Sequence, residues 1–315
     1  MGLQSLTIKK YEELKMKQDV VIIGGSFAGI SAATQLVRAQ RKVTVIDAGK
    51  PRNRFTDHSH GFLGLDGYSP TAIKEKTWQQ LQAYESVTII EDKVIDINKE
   101  AQGFTVKLNN GATIDCKKII LATGLKDELP DIKGVKERWG KTVIHCPYCH
   151  GYELRNRSLG VIATGPMSLH QAGMIPDWGV TTYFSQGEYQ PDPEQKLFLQ
   201  QRGVSFEDTP IVEVLGDNLE VSAVKLSDGR TIELGGLYVG PKTHMASPFA
   251  ELLGCEFTDG PMGAVVVTDD FKETSVKGVF AAGDIANPMQ NATFASASGV
   301  MAGIGAHKQL IQELL

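Results

Sequence analysis

The chain has 315 residues, of which 42% are hydrophobic and 22% charged, a composition ordinary for a globular protein. Its length exceeds the size at which one hydrophobic core usually stops growing, which predicts two domains. The net charge of −5, without a basic block, argues against nucleic acid as a partner, and no apolar run approaches the length of a membrane span. Segment 1–17 is polar and lacks the apolar stretch of a signal peptide, so we expect a cytoplasmic protein that does not bind membranes.

Near the start of the chain, an apolar strand at 19–23 leads through a glycine turn into a helix at 30–37. The turn consists of Gly24, Gly25, Ser26, Phe27, Ala28 and Gly29. This order is typical of a dinucleotide-binding unit, in which Gly24 permits the tight turn and Gly29 permits close packing of the helix. The next strand ends at Asp47, 18 residues after Gly29, which is the spacing of a carboxylate that binds an adenosine ribose.

Two later segments repeat the pattern of a strand that ends in glycine. The strand beginning at Lys117 closes in Ala122, Thr123 and Gly124, and the segment 274–284 closes in Gly283 and Asp284. The small-residue segment 290–303 predicts a helix. Its glycines are also consistent with a helix that merely packs closely, so both interpretations stay open.

A second dinucleotide-type unit begins at the strand 158–162, but its phosphate-binding turn is degenerate. Of the glycine fingerprint only Gly165 remains, and Ala163 stands where the first glycine belongs. The stretch after the strand 180–184 has no arginine for a 2′-phosphate, and Glu188 would repel one. We expect this unit to have kept its fold and lost strong NADPH binding. A wider tolerance of the turn, with NADPH still bound, is the alternative.

Between these units lies Cys146-Pro-Tyr-Cys149, a pair of thiols that can close a disulfide and store two electrons. One thiolate of such a pair attacks a substrate disulfide while the other resolves the mixed disulfide. His150 follows directly and suits proton transfer near neutrality. Zinc would need a second pair of ligands, which Cys116 and Cys255 do not form, so we predict no metal. The motif also occurs in glutaredoxins, but there it opens a small domain, and we interpret the match as local convergence.

The order of these motifs resembles the low-molecular-weight thioredoxin reductases over nearly the whole chain. The resemblance implies an α/β fold of two Rossmann-like, three-layer dinucleotide-binding domains, the second inserted in the first. Residues 1–125 and 243–315 would form the FAD-binding domain. Residues 126–242 would form the inserted NAD(P)H-binding-like domain, which carries the cysteine pair.

The resemblance also implies roles for single residues. FAD would be bound by the glycine turn and Asp47, and further by Ala122, Thr123, Gly124, Gly283, Asp284, Ala292 and Thr293. Asp284 would hold the ribityl chain, and the N-terminus of the helix after it would stabilise the reduced ring. Cys149 would face the flavin and Cys146 the substrate. The family usually has an aspartate where this chain has His150, which leaves the identity of the acid/base open.

His58 and His60 lie on a loop where the family's chain approaches the flavin, so we expect them to contact the flavin or the substrate channel. An exposed loop is the alternative.

The stretch 146–153, Cys-Pro-Tyr-Cys-His-Gly-Tyr-Glu, resembles one branch in particular: FAD-dependent dithiol oxidases of the gliotoxin and holomycin type and their bacterial relatives. This implies a thiol–disulfide oxidoreductase that relays electrons between flavin and substrate through the cysteine pair, with weak or no use of NADPH. Oxygen or ferredoxin would replace NADPH as electron partner, and the substrate would be a thioredoxin-like protein or a small dithiol or disulfide. The family further implies a homodimer. The alternatives are an ordinary NADPH-dependent thioredoxin reductase and a non-catalytic flavin-binding redox sensor.

Overall fold

The computed structural model describes residues 17–315, so the polar segment 1–17 of the sequence analysis lies outside it except for Lys17. The described chain divides into two compact units. The first comprises residues 17–52, 71–126 and 244–315, and the second comprises residues 53–70 and 127–243. None of the helices in the described residues is both long and apolar enough to cross a membrane.

The described strands are β1 (Gln18–Ile23), β2 (Val43–Ile46), β3 (Val87–Ile90), β4 (Val94–Glu100), β5 (Gly103–Leu108), β6 (Thr113–Leu121), β7 (Leu125–Glu128), β8 (Val143–Ile144), β9 (Ser158–Ile162), β10 (Val180–Phe184), β11 (Ser205–Glu207), β12 (Ile211–Leu215), β13 (Ala223–Leu226), β14 (Thr231–Glu233), β15 (Gly236–Val239), β16 (Lys242–Met245), β17 (Phe257–Gly260), β18 (Gly263–Val266) and β19 (Val279–Ala281). The described α-helices are α1 (Phe27–Arg38), α2 (Pro70–Gln82), α3 (Pro147–His150), α4 (Met167–Met174), α5 (Pro193–Gln201), α6 (Phe249–Leu252) and α7 (Ala292–Gln312).

The first unit is built on a seven-stranded sheet in the order β3-β2-β1-β6-β5-β4, with β19 paired to the end of β6. Strands β3, β2, β1, β6 and β19 run parallel, whereas β4, β5 and β6 form an antiparallel meander. A turn at Asn110-Gly111 joins β5 to β6. Strand β3 forms a parallel edge strand beside β2.

Both faces of the parallel strands are buried, which explains their continuous apolar sequences. Along β1, Val21 and Ile23 pack into one hydrophobic cluster, while Val20 and Ile22 pack into another that includes α1 and α7. Burial on both faces therefore fixes the position of β1 and of the turn that follows it.

The second unit contains a parallel sheet in the order β11-β10-β9-β15-β8 and an antiparallel sheet in the order β12-β13-β14. Strands β9 and β10 have the bounds that the sequence predicts, and Asp228-Gly229 forms the turn between β13 and β14. The predicted α/β class with two dinucleotide-type sheets is confirmed.

Candidate functional site

Three neighbouring strands of the first sheet end in register at one edge. Ile23 of β1 lies opposite Leu121 of β6, and Leu121 lies opposite Ala281 of β19. The residues after each strand, which the sequence singles out separately, therefore lie side by side. The carboxyl edge of a parallel sheet is where such folds bind nucleotides.

The turn after β1 requires glycine for steric reasons. Gly24 has φ of +109°, and a Cβ there would lie 2.2 Å from the Ala122 carbonyl oxygen. A Cβ on Gly29 would lie 1.8 Å from the Gly24 carbonyl oxygen. The backbone of the turn is thus pressed between β6 and the start of α1, whose free N–H groups suit a pyrophosphate.

Asp47, at the end of β2, accepts a hydrogen bond of 3.2 Å from the backbone N–H of Gly25 and forms an ion pair with Lys74. Trp78 donates its indole N–H to the Gly25 carbonyl at 3.0 Å. Lys74 and Trp78 lie one turn apart on α2, and the sequence analysis missed both. Their spacing places them on one helix face, but no sequence signal indicates that this face meets the glycine turn.

Gly283 has φ of +82° and donates its backbone N–H to Ser298 Oγ at 2.9 Å. The carboxylate of Asp284 pairs with Arg52 at 3.2 Å, and Arg52 also bonds to Gln290. Arg52 lies 232 residues from Asp284, a separation that hides the contact from sequence analysis.

Helix α7 combines a polar start with a close-packed middle. The Asn291 side chain caps it by accepting the Thr293 N–H at 2.7 Å. Further along, a Cβ on Gly299 would lie 2.1 Å from the Ala28 carbonyl oxygen of α1. The small residues in the middle of the helix therefore serve packing, as the alternative interpretation holds, and its first turn remains available to a ligand.

The cradle at Gly24–Gly29, the carboxylates at two strand ends and the polar start of α7 fit FAD in shape and donor chemistry. The same edge carries all the predicted cofactor residues of this unit. Arg52, which the sequence does not single out, adds a cation to this edge beside Asp284, and such a cation suits a phosphate.

Cys146 and Cys149 of the second unit form a disulfide, with Cα atoms 5.3 Å apart. The pair opens the one-turn helix α3, where the Cys149 and His150 N–H groups donate to the Cys146 carbonyl at 3.2 and 3.3 Å. The carbonyl of His145, just before the pair, accepts a bond of 2.7 Å from Gln171. Tyr148, between the cysteines, is exposed. The redox pair is thus held by backbone geometry, with an aromatic ring beside it.

The structure places His150, which is half-buried, beside His60, whose ring centroid lies 6.2 Å away. Burial lowers the pKa of His150 below its ordinary 6.5, and His60 and Lys141 lower it further, whereas Glu153 and the His58 backbone raise it. Nε2 of His150 is buried with no hydrogen-bond partner among the described residues. The lowered pKa keeps the His150 ring neutral near neutral pH, where it can act as a base.

Polar groups of the turn after β9 already have hydrogen-bond partners within the chain. Ser168 Oγ accepts the Thr164 N–H at 3.0 Å, and the Thr164 hydroxyl donates to the Gly240 carbonyl. A Cβ on Gly165 would have no atom within 4 Å, so this turn does not require its glycine. This turn therefore differs from the turn at Gly24 in its open packing as well as in its sequence.

Just after the end of β10, hydrogen bonds join Ser185 and Gln190 to the carboxylate of Asp208. Ser185 donates to Asp208 Oδ1 at 2.9 Å, and the Gln190 amide bonds to both side chains at 3.0 and 3.1 Å. Asp208 thus adds a carboxylate beside the stretch that follows β10, where the sequence points only to Glu188.

The two other cysteines do not join the site. Burial raises the pKa of Cys116 to about 12 and raises that of Cys255, so both stay protonated. No group of three potential metal ligands is found among the described residues.

Comparison with known proteins covers both units. A family model described as pyridine nucleotide-disulphide oxidoreductase matches residues 18–299. Over 307 residues the chain is 35% identical to thioredoxin reductase tcpT of Claviceps purpurea, an alignment that covers 94% of this chain and 95% of the relative. An oxidoreductase structure from Agrobacterium tumefaciens is similar with a TM-score of 0.90 and 46% identity, covering 94% of this chain and 99% of that one. The structure of HlmI is similar with a TM-score of 0.88 and 33% identity, covering 94% and 93%.

These matches include the FAD-type turn, the cysteine pair and the second dinucleotide unit within one alignment. The chain therefore belongs to the pyridine nucleotide-disulphide oxidoreductase family, as a thioredoxin reductase-like, FAD-binding disulfide oxidoreductase.

Proposed function

We propose that the protein is an FAD-dependent dithiol oxidase, which takes an electron pair from a dithiol through Cys146–Cys149 and passes it to oxygen with little use of NADPH. The observation that carries the proposal is the second dinucleotide turn, where Ser168 already accepts the Thr164 N–H. The carboxylate of Asp208 at the end of β10 further disfavours a 2′-phosphate. The resemblance of 146–153 to gliotoxin-type and holomycin-type oxidases supports the same direction of electron flow.

In this proposal residues 1–125 and 243–315 form the FAD domain, and residues 126–242 form the redox domain. The glycine turn, Asp47 and the residues after β6 and β19 would hold FAD, and the first turn of α7, with Ala292 and Thr293, would face its ring. Bound FAD supplies an acceptor for the electron pair and a route from it to oxygen. The prediction that His58 and His60 contact flavin or substrate stays a prediction.

The thiol chemistry follows from the pair itself. A substrate thiolate attacks Cys146 Sγ, forming a mixed disulfide and breaking the Cys146–Cys149 bond, so that Cys149 leaves as a thiolate. The second substrate thiol then attacks the substrate sulfur of the mixed disulfide and releases Cys146. The substrate loses two electrons and two protons, and the cysteine pair gains both electrons. In this proposal His150, which follows Cys149 directly and is neutral near neutral pH, would accept the proton of an attacking thiol.

The second candidate is an ordinary NADPH-dependent thioredoxin reductase. The retained parallel order β11-β10-β9-β15-β8 and the free space at Gly165 favour it. In that case electrons would run from NADPH to a disulfide. A ferredoxin-linked reductase and a redox sensor without multiple turnover are the further alternatives.

The partner and assembly are part of the proposal. We infer a small dithiol or a thioredoxin-like protein as the thiol substrate, and a homodimer as in the family it resembles. Light scattering after size-exclusion chromatography tests the dimer, and a single-chain mass near 34.2 kDa would contradict it.

The deciding experiment measures oxygen consumption and hydrogen peroxide formation with dithiothreitol and with reduced thioredoxin. We expect sustained turnover with a dithiol in the wild type and loss of turnover with FAD retained in Cys149→Ser. Cys255→Ser is the matched control, because it removes a buried thiol outside the pair. Unchanged turnover in Cys149→Ser would refute the relay, and bound flavin without turnover by any dithiol or disulfide would indicate the sensor.

A further inference from the structure

One loop of the second unit approaches His150, and we call residues 58–68 the histidine loop. Its ends are joined by a bond of 2.8 Å from Ser59 N–H to the Tyr68 carbonyl. Across its middle, Asp66 Oδ1 accepts the Gly61 N–H at 2.8 Å. These bonds give the loop a fixed shape, so the side chains on it occupy defined positions.

His60 lies between two carboxylates. Its Nδ1 is 3.5 Å from Asp66 Oδ2 and its Nε2 is 3.6 Å from Glu153 Oε1. The His60 side chain is 24% exposed, while those of Asp66 and Glu153 are 69% and 43% exposed. Both ring nitrogens therefore face a carboxylate oxygen.

The same loop contacts His150 through His60. The His60 ring stands edge-on to the His150 ring at 89°, with centroids 6.2 Å apart. Glu153, three residues after His150, completes the cluster through its contact with His60. A histidine that is distant in sequence from the cysteine pair thus meets the residue that follows the pair.

We propose that the histidine loop is a positioning element for His150: the His60 ring, set between Asp66 and Glu153, packs edge-on against the His150 ring and holds it beside the Glu153 carboxylate. This inference rests on the proposed role of His150 in dithiol oxidation. His60 and Glu153 are positioning residues, since they act through His150.

The charges around His150 fix the sign of each effect. A cation on His60 or on Lys141 disfavours a second cation on His150, and Glu153 favours it. Lys141 is paired with Asp57, and Asp66 faces His60 from its far side. Removing His60 should therefore raise the pKa of His150, and removing the charge of Glu153 should lower it.

The test follows the seven histidines by NMR with 13Cε1-labelled histidine in the holoenzyme. The His150 signal is identified by its loss in His150→Gln. We expect its titration midpoint to rise in His60→Gln and to fall in Glu153→Gln, each by about half a pH unit to one unit, because the charges are close but partly solvated. His170→Gln, which removes an exposed histidine of the same unit, should leave the midpoint unchanged. An unchanged midpoint in both variants, or movement in the same direction, overturns the inference.

A second readout is the rate at which dithiothreitol reduces the disulfide in anaerobic rapid mixing, measured against pH. An acid limb that follows the NMR midpoints supports the inference, and an acid limb that stays fixed in both variants overturns it. Failure of the proposed function has a different signature: Cys149→Ser would keep turning over dithiol while the midpoints still moved in opposite directions.

Discussion

Gly24→Ala tests whether the turn after β1 is the rigid cradle of the FAD site. A Cβ at this position would lie 2.2 Å from the Ala122 carbonyl oxygen, whereas ordinary van der Waals contact begins at 3.4 Å. The two groups must therefore move about 1.2 Å further apart. Ala122 resists this movement because its N–H donates to the Ile23 carbonyl at 2.9 Å, where β6 pairs with β1.

Two other glycines separate the contributions. Gly111 also has positive φ, +88°, but open space around its Cβ position, so Gly111→Ala should cost only the left-handed strain of about 1–2 kcal/mol. Gly165 has neither feature, and Gly165→Ala should be near neutral. Overpacking adds about 1–3 kcal/mol, so we expect Gly24→Ala to lose about 2–5 kcal/mol in total.

The assay is thermal unfolding by circular dichroism together with the FAD content per chain from the visible absorbance. We expect a Tm loss in the order Gly24→Ala, Gly111→Ala, Gly165→Ala, with FAD lost only in the first. If Gly24→Ala retained FAD and had the same Tm as Gly111→Ala, the steric argument would be refuted.

Three further substitutions have defined outcomes. In Ser168→Ala the Thr164 N–H loses the hydroxyl that accepts its hydrogen bond, so the free energy of unfolding in urea should fall by about 1 kcal/mol. Lys118 is 5% exposed and paired with Glu313. Glu313→Gln leaves this buried cation unpaired, so it should lower the free energy of unfolding by about 1–3 kcal/mol more than Lys118→Met does in the same urea assay. The Arg230 hydrogen bond lowers the pKa of Glu207 from 4.5 to about 2. The charged pair therefore stabilises the fold above pH 4.5 and loses this effect as pH falls toward 2, so Glu207→Gln should flatten the pH dependence of Tm in that window.

Each of these outcomes has a clear opposite. A more stable Ser168→Ala would mean that the turn is strained by its own bond. Lys118→Met less stable than Glu313→Gln would mean that the lysine stem contributes more than its charge. A Tm profile of Glu207→Gln parallel to that of the wild type would place the acid sensitivity elsewhere.

The sequence predicts the buried parallel strands best. Strands β9 and β10 have the predicted bounds because their runs are apolar on both faces and end at turn residues. The pairing of the strand at Val87–Ile90 is not predicted, because a run of four β-branched residues does not show whether its partner is parallel. Helix α7 extends to Gln312, beyond the predicted 303, because its later turns continue to pack in the core through Ala306 and Leu310.

For the candidate site, the sequence predicts residues that chemistry or backbone geometry restricts, such as Gly24 and the cysteine pair. It does not predict residues that act through contacts across the chain. Arg52 contacts Asp284 only in the folded chain. Ser168 accepts the Thr164 N–H through its hydroxyl, and a serine at this position carries no sequence signal for such a contact. The association of His60 with His150 likewise depends on where a loop lies in the fold, which no local pattern encodes.

In the proposed reaction, electrons enter from a dithiol rather than from NADPH. Anaerobic titration of the purified protein with dithiothreitol, NADPH and NADH, monitored by the bleaching of the flavin band, distinguishes these donors. We expect rapid bleaching by the dithiol, slow or no bleaching by either nucleotide, and return of the colour in air. Rapid stoichiometric bleaching by NADPH would contradict this proposal and identify the protein as an ordinary thioredoxin reductase.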